Sequence, residues 1–480
     1  MEVNGNSVQE SKLEVQGIDF IPESERHSNP WNVFFVLAGA QTCYPIMLIG
    51  ALPILFGMGW WDSFFAITVG LLVGCIIVAP IALFGQRTGT NGIVSSGAHF
   101  GTKGRAIGAI LTIVVGIGFY ALVLWTGSES VVHGGNKLFG LPKGDISLII
   151  GALIIGIIIS IVATYGHSIV VKIEKFGTVV AGATLILSIF VFLPQFDATY
   201  QGGDYLLGGY WATWLLSASV ALSIPVSLVP YINDYTRYIP TTTSSRSVML
   251  GTGAGIFVGC WITMITAAYF TTMFKSLDTP LVQGMIEMSP TWFVLPLIIV
   301  GIVGSLTQGS FAIYGAGLGL ETLGWGLNRI MTTIIISVVS IIAAFLAVFV
   351  YDLVDVVNAF VTLIIVAVSP WLSIKLIGLY LFKGQYSALE LHKEKGGLYW
   401  YSKGYNIPAV LSWVIGVVVG LLFTNTLVFV GPLANSFGGI DVSFISSAIV
   451  GAVLYYFLVK NSITNGSALS EAEQNVEKTI

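Results

Sequence analysis

Charge is what this chain has least of. Lys, Arg, Asp and Glu make up 9% of its 480 residues, where a soluble domain carries roughly 25%. Too few polar side chains exist to cover a water-soluble globule, which excludes that class. Cysteine is scarce too. Cys43, Cys75 and Cys260 all fall inside apolar runs; they read as small buried hydrophobes, with no disulfide framework expected. No basic patch is present, so nucleic acid is not an expected partner. Reactive constellations are also missing. There is no HExxH, no GxSxG and no Walker sequence, and His27, His99, His133, His167 and His392 are scattered over predicted loops. That argues against a membrane enzyme or an ATP-driven pump. No ring of charge marks a channel. The first thirty residues are polar, so no cleavable signal peptide is expected and the first helix would serve as the insertion signal.

What is present is apolar sequence in long runs. Hydrophobic residues make up 55% of the chain. Runs of twenty or more recur, and about 20 residues span a bilayer as a helix. A β-barrel would alternate in polarity instead. The pattern therefore predicts an all-α polytopic membrane protein with twelve segments, near 31–56, 60–84, 106–132, 146–165, 174–194, 211–232, 248–274, 292–315, 329–351, 354–380, 408–430 and 441–459. Tails at 1–30 and 461–480 are polar. With the N-terminus inside, alternation places only Lys137, Lys143 and Lys275 of the 20 cations on the outer side. The positive-inside rule then puts both termini in the cytoplasm.

Two segments are interrupted. Segment one carries Gly39-Ala40-Gln41-Thr42 and then Pro45; segment six carries Pro225 and Pro230. Proline removes a backbone donor, and broken helix at membrane depth is tolerated only where it lines a cavity or is buried in protein. The two segments lie five helices apart and run in opposite directions. Matched breaks of this kind point to an inverted repeat of five plus five helices with a substrate and ion site between them. The expected divisions are a first repeat at 31–200, a second at 201–380, and a loop with two further helices at 381–460. Glycines spaced by four, at 251, 255 and 259 and at 70 and 74, read as close helix packing. The GAGLG stretch at 315–319 follows no strand and is not read as a nucleotide loop.

Ordered motifs then resemble one family, the nucleobase–cation symporters in their purine–cytosine permease branch. They are GIDFIPESERHSNPWNVFFVLAGAQ leading into segment one, GQRTGTNGIVSSGAHFGTKG between segments two and three, and PYINDYTRYIP closing segment six. VSPWLSIKLIGLYLFKGQY, GGLYWYSKGYNIPAVLSWVIG and GPLANSFGGIDVSFISSAIVGAVLYY continue the match toward the C-terminus. The resemblance implies a LeuT-like five-plus-five core, two extra helices, and cation-coupled uptake of a purine, pyrimidine or related heterocycle by alternating access. Allantoin, hydantoin or a thiamine-precursor pyrimidine are alternatives, and an amino acid carrier of the same fold is a more distant one. A plasma or bacterial inner membrane location and a monomer are expected, with no cofactor beyond a coupling Na⁺ or H⁺.

Candidate site residues follow from the chemistry. No acid, base or histidine lies at the predicted midplane of any segment, so a neutral, flat polar substrate is expected. Gln41, at the break of segment one, offers one acceptor and two donors. Backbone carbonyls around Ala40 and Gln41 could coordinate a cation, with Thr307 adding a hydroxyl. In segment three the family's stacking tryptophan is matched by Phe119, with Tyr120 as competitor; the family's glutamine there has no counterpart, since Gly116 and Val123 occupy its place. Ser223 and Ser227 flank Pro225, which replaces an expected aromatic. In segment eight the family's asparagines are absent, and Thr307, Gln308 and Ser310 stand in their neighbourhood. Asp234 and Arg237 read as a half-exposed ion pair or gate. Only Glu129 and Asp234 come near the path as titratable groups, which favours Na⁺ over H⁺.

Overall fold

The computed structural model describes residues 17–349, 353–425, 429–438 and 440–464. Most of the N-terminal tail and the C-terminal tail beyond Thr464 lie outside the described residues. The first repeat comprises α1 (Pro30–Gln41), α2 (Tyr44–Leu55), α3 (Trp60–Val78), α4 (Ala82–Thr88), α5 (Gly92–Phe100), α6 (Ala106–Phe139), α7 (Asp145–Tyr165) and α8 (His167–Phe192). There follow α9 (Tyr210–Ser227), α10 (Ile232–Thr236), α11 (Ser245–Thr271), α12 (Leu281–Met288), α13 (Thr291–Thr322), α14 (Arg329–Phe349) and α15 (Leu353–Leu381). A short α16 (Ala388–Leu391), α17 (Ile407–Phe423) and α18 (Ser443–Thr464) complete the chain.

Among the described residues, 9 helices are long and apolar enough to cross a membrane, and the bent pair α1–α2 makes up to 10. The expected count of twelve spans is therefore not confirmed. The α9–α10 pair is interrupted, and α17 is a shorter apolar helix. Three helices between spans, α5, α12 and α16, are not marked by the sequence pattern. The buried α5 is a packing element. Its His99 lies 3.2 Å from the hydroxyls of both Tyr386 and Tyr455. Burial, reinforced by Lys375, pushes its pKa down to about 3, so it stays neutral.

The interrupted helices are packed reciprocally. α1 lies on α11, and α9 lies on α3. The glycine rows form both interfaces. A methyl group on Gly251, Gly255 or Gly259 would strike the backbone of Pro30, Phe34 or Ala38 respectively. On the other side, Gly70 faces the Ala218 carbonyl, and Gly74 faces Pro225 and Leu222. Each broken helix thus rests directly on the backbone of an unbroken one, as small residues permit. α6 and α13 cross at the centre of the molecule, where Gly116 meets Ala312, Ala316 and the Tyr231 hydroxyl. The GAGLG stretch lies within α13 and packs on Tyr231 and Ala109. Large apolar side chains such as Ile146, Ile157, Phe190 and Ile334 remain exposed on the perimeter, a lipid-facing surface rather than a water-facing one.

Gly255→Val should lower the thermal stability of the detergent-solubilised protein by about 1–3 kcal/mol, the range for an overpacked core position. Gly253→Ala, on the same helix with its nearest atom at 3.4 Å, should leave it unchanged. Equal effects would show that the glycine row does not hold α1 against α11.

Candidate functional site

α1 begins on a capped turn. Asn29 accepts the Asn32 amide at 3.0 Å, and Pro30 occupies the first turn, where no donor is needed. Twelve residues later the helix stops, and α2 leaves at 64°. The carbonyls released there are partly recaptured. The Thr42 hydroxyl donates to Ala38 O at 2.8 Å, the Thr42 amide to Gly39 O at 3.0 Å, and the Cys43 thiol to Ala40 O at 3.6 Å. In α9, Pro225 lies inside the last turn, while Pro230 falls in the gap before α10. The chain restarts when Tyr231 and Ile232 donate to Leu228 O.

At these breaks two buried amides are incompletely satisfied. Gln41 Oε1 faces the Cys260 thiol at 3.9 Å, but among the described residues Gln41 Nε2 has no protein partner. Gln308 on α13 is buried, and its Oε1 has no protein partner. Gly304, one turn earlier on α13, packs on Cys43 and Thr42, so the two amides belong to the same level of the bundle. Phe119 is buried on α6 and meets Phe360 edge-on, with ring centroids 5.3 Å apart.

Other candidates are placed differently. Tyr120 turns away: its hydroxyl donates to Gly156 O on α7 at 2.9 Å and contacts Ser160. It anchors α6 to α7 and does not compete with Phe119. The hydroxyls of Ser223, Ser227, Ser310 and Thr307 donate to Val220, Ile224, Thr307 and Gly304 carbonyls of their own helices. Such back-bonding is common for serine and threonine and leaves only lone pairs for a ligand. Ala40 lends its carbonyl to Cys43, and the Thr307 methyl rests over Gly177 of α8.

Two readings need correction. Asp234 and Arg237 are fully buried, not half-exposed. Arg237 donates to Gly17 O at 2.8 Å and to the Tyr314 hydroxyl at 3.2 Å, and it lies over the Tyr238 ring. It pins the segment that leads into α1 across the ends of α10 and α13. Arg26 completes the seal, donating to Ile21 O and Gln86 O, each at 2.9 Å. The opposite face is open. A cavity of ≈ 490 Å³ enters there, lined by Leu48, Ala51, Leu52, Glu129, Phe274 and Val357.

The second correction concerns acid in the interior. Segment five was expected to begin at Glu174, which placed that residue at the membrane edge. α8 instead begins at His167. Glu174 lies two turns inside, fully buried, and among the described residues neither carboxylate oxygen has a protein partner. The ground for preferring Na⁺ is thereby removed. The signal was available: Gly166 marks the true helix start, with only Lys172 and Lys175 to suggest a loop.

A family model described as permease for cytosine/purines, uracil, thiamine, allantoin matches residues 20–445. A Bacillus subtilis protein, YxlA, whose name assigns it to the purine-cytosine permeases, is 25% identical over 468 residues, covering 96% of this chain and 99% of its own. Among solved structures, Mhp1, a nucleobase-cation-symport-1 family transporter in a closed conformation with bromovinylhydantoin bound, superposes with a TM-score of 0.75. It is 16% identical, covering 94% of this chain and 97% of its own. A Na⁺-coupled sialic acid symporter gives a TM-score of 0.57 at 12% identity, covering 94% and 93%. At these identities the structural likeness concerns the fold, and the fold is LeuT-like.

Arg237→Gln should release the lead segment. Hydrogen exchange of the amides between residues 17 and 28 is expected to accelerate by about tenfold or more, the loss of one buried charged hydrogen bond. Unchanged exchange would mean that the seal does not depend on Arg237.

Proposed function

Because the chain belongs to the permease family for cytosine/purines, uracil, thiamine and allantoin, we propose that its substrate is a nucleobase or closely related heterocycle bound between Gln41 and Gln308. The observation that carries this reading is the pair of open amide atoms, one donor at Gln41 Nε2 and one acceptor at Gln308 Oε1. A nucleobase edge presents both complements in one plane. A site built on paired hydrogen bonds rejects analogues that lack them, because its buried groups are then left unmatched. Phe119 supplies an aromatic face, and aromatic contact is worth about 0.5–1.5 kcal/mol beyond burial. Ser223, Ser227 and Ser310 contribute acceptor lone pairs, and Tyr120 belongs to the scaffold.

Transport is secondary and cation-coupled. The sealed lead-segment face and the open cavity on the other side correspond to one half of an alternating-access cycle. The distribution of lysine and arginine supports the sealed face as the cytoplasmic one. Ala40 O already accepts from Cys43 and the Thr307 hydroxyl donates to Gly304, so a metal cation at the break would find only their remaining lone pairs, and the five-plus-five repeat divides near residue 200.

Purified protein in liposomes, offered labelled cytosine, adenine, hypoxanthine, uracil and allantoin under inward Na⁺, inward H⁺ or no gradient, should accumulate at least one of them under a gradient only. Gln41→Ala and Gln308→Ala should each weaken its binding by about 1–3 kcal/mol, roughly fivefold to more than a hundredfold. Tyr120→Phe should leave affinity unchanged. Accumulation of none of the five would reject the heterocycle assignment.

A further inference from the structure

Glu174 has the environment least suited to a charge. The tenth residue of α1 is Gly39 and the eighth of α8 is Glu174. At 1.5 Å per residue these lie about 14 and 10 Å from their helix starts, well inside a hydrocarbon core about 30 Å thick. A methyl group on Gly39 would overlap the Glu174 carboxylate, the Glu174 carbonyl and the Thr178 hydroxyl. The carboxyl group is therefore clamped against the backbone of α1, two residues before Gln41. The Thr178 hydroxyl is turned away from it, toward the carbonyls of Phe35 and Glu174, each at 2.8 Å.

Among the described residues, no cation compensates it. α1 carries no titratable side chain, and the break after it presents only the Cys43 thiol near Glu174. α13 presents the uncharged Thr307 at Gly177, and its acid Glu321 packs on Gly17 at the far sealed end. α11 presents the Cys260 thiol, which faces Gln41, while its Arg246 is at the exposed start of the helix. α7 carries Asp145 at its opposite end and Tyr165 at its last turn. On α8 itself, Lys172 is exposed, Lys175 is half-buried, and His167 stacks on Tyr238. A buried carboxylate with neither a donor nor a counter-charge is strongly disfavoured.

From this geometry we propose that Glu174 carries the coupling ion as a proton, and that its protonation locks α1 against α8. Resting on the transport reading above, the inference names its ion. With the proton bound, the carboxyl group is neutral and packs on Gly39, and the lead-segment face stays shut. Proton loss leaves a carboxylate that requires water. Water enters only if α1 separates from α8, which opens that face beside the substrate amide. The proton is taken up as a carboxylic acid O–H while the molecule faces one side and is released to the other, with no other bond made or broken. A Na⁺ ion is the less fitting occupant, because the Gly39 backbone fills the space that its remaining ligands need.

The test uses the full chain in liposomes without Na⁺. For one proton per substrate, an inward gradient of one pH unit supports at most about tenfold accumulation. Wild type should approach that ratio with whichever of the five heterocycles it carries. Glu174→Gln, fixed in the neutral state that keeps the lead-segment face shut, should neither accumulate nor exchange labelled substrate across the membrane, yet should still bind it from the open face with wild-type affinity. Glu174→Asp should retain partial accumulation. Proton-driven accumulation by Glu174→Gln, or wild-type accumulation that needs Na⁺ and ignores the pH gradient, overturns the proposal. If no heterocycle moves, the transport reading fails by itself, and infrared spectroscopy decides on Glu174. A protonated-carboxyl stretch, sensitive to deuterium and missing in Glu174→Gln, supports the proton site. Lack of that band in wild type refutes it.

Discussion

A carbonyl released from a helix inside a bilayer has no water to turn to. That constraint decides where this molecule can be irregular. At the α1 break, the Thr42 hydroxyl and amide and the Cys43 thiol recover Ala38, Gly39 and Ala40. At the α9 break, backbone bonds from Leu228, Val229, Tyr231 and Ile232 do similar work. Neither break faces lipid. Each is enclosed because its helix rests on a glycine row of an unbroken partner. The packing and the interruptions are therefore one design: without Gly251, Gly255 and Gly259, α1 could not approach α11 closely enough to bury its own end.

Burial of the breaks in turn creates the chemistry. A side chain at a helix end is released from the periodicity of the surface, so Gln41 points into the bundle. Gln308 arrives from the opposite side on α13, whose small residues Gly301, Gly304 and Gly309 let it lie against Tyr44, Cys43 and Ile159. Two amides with one open atom each are a costly arrangement for an empty protein, since an unmatched buried group loses about 1–3 kcal/mol. A permanent cost of this kind is tolerated where a ligand relieves it.

Much of this was legible from residues. Proline and glycine mark both breaks because they act locally through backbone geometry. The spacing of Gly251, Gly255 and Gly259 announces close packing because a helix repeats that spacing on one face. The direction of a side chain is not local in this sense. Tyr120 and Phe119 are neighbours in sequence, yet one bonds α7 and the other meets Phe360; only the arrangement of helices separates them. Arg237 looked half-exposed because its partners, Gly17 and Tyr314, are distant in sequence. Glu174 was misplaced for another reason. The run Val171-Lys172-Ile173-Glu174-Lys175 reads as a charged boundary by composition, although its acid points inward while Lys172 is exposed. A hydropathy window averages over faces and cannot make that distinction.

The separation of roles along α1 follows from these placements. In the proposed function Gln41 meets a neutral substrate through hydrogen bonds, and such bonds are lost or gained without moving charge. Glu174 meets α1 through a group whose cost changes sharply with its proton. Glu174 packs on Gly39, two residues before Gln41 on one short helix, so any displacement of α1 alters both environments together. A neutral binding site gives no leverage on an ion gradient by itself. A buried acid gives no selectivity for a heterocycle. Coupling requires that one rigid element feel both, and the twelve residues of α1, held on glycine rather than on interlocked side chains, form the element that does.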